Sequence, residues 1–144
     1  MKRLYYVLPL VSVLFGCTTV PTPIEEAEAV PENRILSKLK VTSENPARLT
    51  VIRDRAAVGG TVVSFYFEVN GAPVVKLRTG ETYTTLIDPG EVFLSVRTDA
   101  IGATNKPLQI ETVLRPSKHY VYRVGNDGNW LPHIQRDFEL SDKH

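Results

Sequence analysis

The chain predicts an all-β domain, an antiparallel β-sandwich of about seven or eight strands. Three observations predict it. Short runs rich in Val, Thr, Ile, Tyr and Phe alternate apolar and polar side chains with the period of two that a half-buried strand needs. Turn chemistry separates them at short, regular intervals: Asn70-Gly71, Thr79-Gly80, Asp88-Pro89-Gly90 and Pro116-Ser117, the spacing of sandwich strands. No stretch sustains the i, i+3, i+4, i+7 pattern of an amphipathic helix. A half-open barrel fits the same pattern and stands as the alternative architecture.

Two segments of different composition precede the strands. Met1, Lys2 and Arg3 lead into residues 4–15, mostly apolar and broken by Pro9 and Ser12. A basic start followed by a short apolar run reads as a signal peptide over residues 1–16, too short to cross a bilayer as a helix. The run closes in Leu14-Phe15-Gly16-Cys17. A general signal peptidase prefers a small-x-small site, which Leu14 does not supply. The stretch resembles the lipobox of bacterial lipoproteins, with Leu14, Gly16 and Cys17 in their expected places and Phe15 bulkier than is usual. The resemblance implies cleavage before Cys17 and a covalent lipid of the palmitate kind on its sulfur, with no other cofactor. An ordinary signal peptide with a chance cysteine is the alternative. Thr18, not Asp, follows the cysteine, which in Gram-negative lipoproteins implies the outer membrane. Cys17 is the only cysteine, so an internal disulfide is impossible. Acylation also removes a thiol that an oxidising compartment would leave reactive.

Residues 17–33 read as a linker. They carry Pro21, Pro23 and Pro31 with Glu25, Glu26, Glu28 and Glu32, and proline favours extended polyproline II structure. About fifteen such residues at ~3.1 Å each can hold a domain up to ~45 Å from a membrane. The glutamates read as solvated.

The domain is expected over residues 34–136. Leu49-Thr50-Val51-Ile52 forms one strand, and Gly59-Gly60 ends the loop after it. In the strongest strand, residues 61–69, Val63, Phe65, Phe67 and Val69 share a face, and Tyr66 and Glu68 lie on the other. Asn70-Gly71 takes positive φ at both turn positions and so signals a tight hairpin into residues 73–77. Residues 82–87 are β-branched and aromatic. Asp88-Pro89-Gly90 then turns the chain, with Pro presetting φ and Gly accepting a positive one. Val92, Leu94 and Val96 face inward in the next strand. Residues 99–107 form a polar loop. Leu108, Ile110, Thr112 and Leu114 alternate, Tyr120, Tyr122 and Val124 share a face after Pro116-Ser117, and residues 126–129 turn into a last weak strand at 131–134. The charged tail, residues 137–144, is expected to fray.

One ordered set of features resembles a known family: Arg48-Leu49-Thr50-Val51-Ile52-Arg53-Asp54, a glycine pair, an aromatic strand into Val69-Asn70-Gly71, then Leu77-Arg78-Thr79-Gly80-Glu81 and Asp88-Pro89-Gly90. In that order, over roughly residues 31–125, they resemble small, uncharacterised bacterial lipoproteins whose domain of unknown function is related in pattern to PEGA-type β-sandwich domains of envelope proteins. The chain departs from the pattern at Asp88, where proline is common, and after Gly60, where some relatives place a cysteine. The resemblance implies a fold and an envelope location; it carries no reaction and no catalytic residues.

Charge and chemistry narrow the function classes. The 17 basic residues fall to 15 once Lys2 and Arg3 are removed, against 16 acidic ones. A balance this even argues against nucleic acid, which needs a basic excess. His119, His133 and His144 are far apart and lack ligand spacing, so no metal site is expected. Asn126-Asp127-Gly128-Asn129 lacks the distal Glu of a calcium loop. No Gly-x-Ser-x-Gly elbow occurs, and no catalytic residues are assigned. The candidate binding residues are Arg53, Asp54 and Arg78 at strand ends, where Arg53 and Arg78 can meet an anionic group or Asp54 can instead pair with an arginine and cap a turn. Tyr66, Tyr120 and Tyr122 are candidates for a partner surface if they prove contiguous and exposed, or for the core if they do not.

Together these features describe an outer-membrane-anchored periplasmic lipoprotein, held to the membrane by Cys17. Its expected work is as a non-enzymatic binding or assembly module for an envelope protein or cell-wall partner. An inhibitor or immunity-type lipoprotein using residues 99–107 is the first alternative, and an envelope enzyme the second.

Overall fold

The computed structural model describes residues 19–56, 63–99, 107–126 and 131–142. The signal segment, Cys17, Gly59-Gly60, most of the 99–107 loop, Asp127 and Trp130 lie outside the described residues.

Two very short strands come first, β1 (Thr19–Val20) and β2 (Glu28–Ala29). β3 (Ala47–Arg53) and β4 (Arg55–Ala56) follow. Then come β5 (Phe65–Val69), β6 (Ala72–Leu77), β7 (Glu81–Ile87) and β8 (Gly90–Thr98). β9 (Leu108–Leu114), β10 (His119–Asn126) and β11 (Pro132–Arg136) complete the set. Eight of the strands have five residues or more, and no α-helix occurs among the described residues.

The strands form a sandwich. One sheet has the order β11-β10-β3-β7-β2 and the other β6-β5-β8-β9, with β1 and β4 paired separately. Period-two alternation sends Leu49 and Val51, Phe65, Phe67 and Val69, Leu94 and Val96, and Tyr120, Tyr122 and Val124 into one core between the sheets. Each fully buried side chain of this size contributes about 1.5–3 kcal/mol. The Asn70-Gly71 hairpin forms as its chemistry dictates, with φ of 51° and 78°. Asn70 is also sewn to β8: its N–H donates to the Phe93 carbonyl at 2.8 Å, and its side-chain oxygen accepts the Phe93 N–H at 2.9 Å.

Most pairings are antiparallel, but two are not. β10 runs parallel to β3, from His119 opposite Arg48 to Val124 opposite Arg53, and β2 runs parallel to β7. The first follows from a change of sheet. β9 ends the four-stranded sheet, and the turn through Ser117, with φ of 58°, carries the chain across so that β10 enters from the same end as β3.

Two expectations are corrected. From Thr19 on, residues 17–33 are not a free spacer. Thr19 and Val20 pair with Ala56 and Arg55, Thr22 is wholly buried and Val30 joins the core. The Val30 N–H donates to the Thr82 carbonyl at 3.0 Å. Backbone groups that find sheet partners need no water, so the prolines here shape a docked strap rather than a spacer. Nor does the tail fray as far as Asp142. The Asp137 N–H donates to the Val121 carbonyl, the Asp142 N–H donates to that of His119, and the Val121 N–H is taken by Ser141 Oγ at 2.9 Å.

Candidate functional site

The polar residues singled out in the sequence do not converge. Arg53 continues the inward face of Leu49 and Val51, so its side chain closes one end of the core and is only 2% exposed. Its guanidinium lies 4.3 Å from the Phe65 ring centroid and donates to the carbonyls of Leu77, at 3.0 Å, and Val63. Burial lowers its pKa to about 10, against the pull of Asp99 and Glu81. Arg53 is therefore a buried brace between β5 and β6. Arg78 is exposed, and its backbone N–H donates to Glu81 at 2.7 Å. Glu81 is a second brace, holding Arg34 through both carboxylate oxygens.

Asp54 points to the outer face of the five-stranded sheet. It accepts the Thr22 N–H at 3.0 Å and Arg123 Nη1 at 2.8 Å. Arg123 also donates to the Thr22 carbonyl at 2.9 Å and, through Nε, to Asp137 at 2.7 Å. One arginine thus ties the N-terminal strap, the end of β3 and the C-terminal tail. Burial works against its charge, but the bonds to Asp137 and Asp54 outweigh that and raise its pKa. Burial likewise opposes the charge on Asp137, and the Arg123 bond with the Leu140 N–H brings its pKa below the usual value.

The tyrosines are not contiguous, which corrects the idea of an aromatic surface through Tyr66, Tyr120 and Tyr122. Tyr120 and Tyr122 are core residues. The Tyr120 hydroxyl accepts the Arg115 N–H at 2.8 Å, and the Tyr122 hydroxyl donates to Thr112 at 2.9 Å. Burial pushes the Tyr122 phenol up. Tyr66 stands on the opposite side of the molecule, on the outer face of the four-stranded sheet. It lies between Arg97, 4.6 Å from its ring centroid, and Lys76, at 5.2 Å. Those cations are themselves paired, Arg97 with Glu68 and Lys76 with Asp99.

The feature with unspent binding capacity is a groove that these residues do not include, apart from Tyr120 at its base. It opens between the edges of the two sheets, at the end away from Arg53, with a volume of about 580 Å³. Val113 and Arg115 line it from the β9 side, and Arg136, Phe138 and Asp142 from the other. Arg136 follows Ile134 by two positions on β11 and so faces inward. Its guanidinium is 4.6 Å from the Tyr120 ring centroid and 4.8 Å from that of Phe138. Its Nε is buried and has no hydrogen-bond partner among the described residues. Phe138 is 66% exposed. A planar cation stacked on aromatic rings, with apolar Val113 opposite, suits a carboxylate or phosphate carried on a larger molecule. The signal for it in the sequence was the period of two from Ile134 to Arg136; ending the last strand at residue 134 hid it.

Among the described residues, no three His, Cys, Asp or Glu side chains gather to hold a metal ion. No protein-family model matches the chain, and comparison with curated proteins finds no match.

Proposed function

We propose that this chain is a lipid-anchored lipoprotein of the bacterial outer membrane, facing the periplasm, and that its β-sandwich is a non-enzymatic binding module for an envelope protein or cell-wall partner. The lipobox-like Leu14-Phe15-Gly16-Cys17 supports the anchor. The single observation that carries the binding reading is Arg136. Its guanidinium, stacked on Tyr120 and on the exposed Phe138 at the lining of the groove, offers a planar, charged donor to an anionic ligand group. The resemblance to PEGA-type envelope domains points the same way.

The test is site-specific photo-crosslinking in cells. A photoreactive residue at Phe138 is expected to trap a protein or glycan partner, and Arg136→Met to reduce that adduct at least tenfold. Tyr66, on the far face, serves as the control. Equal or absent adducts at the two positions would remove the groove as the binding site. Acyl labelling that survives Cys17→Ser would sink the anchor.

A further inference from the structure

The first described residue is already fixed in place. Thr19 pairs with Ala56 and Val20 with Arg55. The Thr19 methyl lies against Gly125 near the end of β10. Beyond it the strap is held at Asp54, through the Thr22 N–H, and at Gly80, whose carbonyl accepts the Glu28 N–H. Only Thr18 separates Thr19 from Cys17. Two residues span at most about 7 Å, where a free linker would have allowed ~45 Å.

On the reading that Cys17 carries the lipid, we propose that the end of the sandwich bearing Thr19, Val20, Arg55 and Leu131 is seated on the lipid surface, and that the Arg136 groove opens away from it. The inference rests on that reading and adds an orientation to it. The chemistry of this end suits the headgroup region. Val20 is 53% exposed and Leu131 52%, and a small apolar side chain beside a cation fits the boundary between headgroups and acyl chains. Among the described residues Arg55 is paired with Glu26, at 3.1 Å, both being exposed; an exposed pair of this kind is weak and can exchange its carboxylate for a lipid phosphate. Glu25 and Glu28 are exposed on the same strap, so the surface favoured is a zwitterionic one, such as phosphatidylethanolamine, over a strongly anionic one. Tyr120, at the base of the groove, is five residues from Gly125 along β10, which places it about 17 Å farther from this end. A partner standing off the membrane therefore meets the groove, not the lipid-facing end.

Because Cys17 is the only cysteine and its sulfur is consumed by the lipid on this reading, any introduced cysteine is the one free thiol of the anchored protein. The full lipidated chain is placed in vesicles of phosphatidylethanolamine with a minor phosphatidylglycerol fraction and a headgroup-quencher lipid. A fluorophore is attached at Leu131→Cys, at Val20→Cys as a second position on the same end, or at Ser117→Cys on the opposite end. The expected result is loss of at least half the emission at positions 131 and 20 and little change at 117. A ten-residue Gly-Ser insertion after Thr18 should restore the emission at 131 and 20. Vesicle-bound protein with equal quenching at both ends, or with none at 131 and 20, overturns the orientation while leaving the anchor intact. Protein that is not acylated and does not float with vesicles overturns the anchor and the orientation together.

Discussion

Replacing Arg123 with leucine removes a group that three chain segments share. The side chains it leaves behind, Asp54 and Asp137, are 7% and 14% exposed. Each of the three hydrogen bonds lost involves a charged donor and is worth about 1.5–3 kcal/mol singly. They are not additive, because Asp54 keeps the Thr22 N–H and Asp137 keeps its backbone donors. Removing one partner of a buried pair generally costs about 3–5 kcal/mol; the partial exposure here favours the lower part, about 3–4 kcal/mol. That is a large share of the ~5–15 kcal/mol that holds a domain together and corresponds to a fall of about 10–15 °C in Tm. Thermal unfolding followed by circular dichroism, on the chain from Thr18 onward, measures it. Adding Asp54→Asn and Asp137→Asn to Arg123→Leu should recover at least half the loss, since the stranded charges go with their partner. A loss under 1 kcal/mol for Arg123→Leu, or no recovery in the triple variant, would refute the view that this network holds the strap and tail in place.

Other outcomes follow from the same structure. Arg53→Ala should cost about 3–5 kcal/mol, leaving a cavity and two buried carbonyls with fewer donors. Arg53→Met should cost less, because the methionine chain fills most of the cavity that alanine leaves, while both variants shed the buried charge and both remove the donors to the two carbonyls; equal urea midpoints for the two variants would contradict this. Gly125→Ala would bring a methyl within 2.8 Å of the His133 ring and 3.3 Å of Thr19, so a loss of about 1–3 kcal/mol with faster proteolysis before Thr22 is expected, and unchanged proteolysis would count against the docked strap. Acid should destabilise the fold in two stages. His119 sits below its ordinary 6.5, chiefly through burial and then Arg48, despite Asp142; the unfolded chain then takes up the proton more readily, and stability falls as pH drops below about 6.5. Asp88, bonded by the Ser43 and Thr42 N–H groups and the Thr42 hydroxyl, and Asp137 sit below 3.8, so their contribution is intact above about pH 4 and is lost as pH falls through their lowered values. A urea midpoint that does not move between pH 7 and pH 5.5 would exclude the histidine stage.

What could be read in the chain was local. Val63 to Val69 and Val92 to Val96 reveal their inward faces because side-chain direction in a strand repeats every two residues. Asn70-Gly71 and Gly90 reveal turns because few other residues accept positive φ. What stayed hidden was the choice of distant partners. Nothing near Tyr120 states that β10 lies parallel to β3, since alternation is the same in either direction. Arg34 meets Glu81 across 47 residues, and Thr22 meets Asp54 across 32, so composition alone made residues 18–33 look like a solvated tether. Arg53 looked like a surface recognition residue because arginine is seldom fully buried; its period-two position after Val51 was the contrary signal. Asp88, the point at which the turn departs from the family pattern it resembles, proves to be the clamp on Thr42 and Ser43.

The bond between Arg123 and the Thr22 carbonyl joins residues 101 apart, and this has a bearing on biogenesis. A chain emerging N-terminus first exposes Thr22 long before Arg123 exists to meet it, and Asp137 later still. The strap therefore has no final seat until nearly the whole polypeptide has been delivered. Folds dominated by such distant pairings form slowly. On the proposed export of the chain through a membrane channel in extended form, that delay is useful: the early segments stay pliable while transport proceeds, and the clasp closes only when the last strand and the tail arrive.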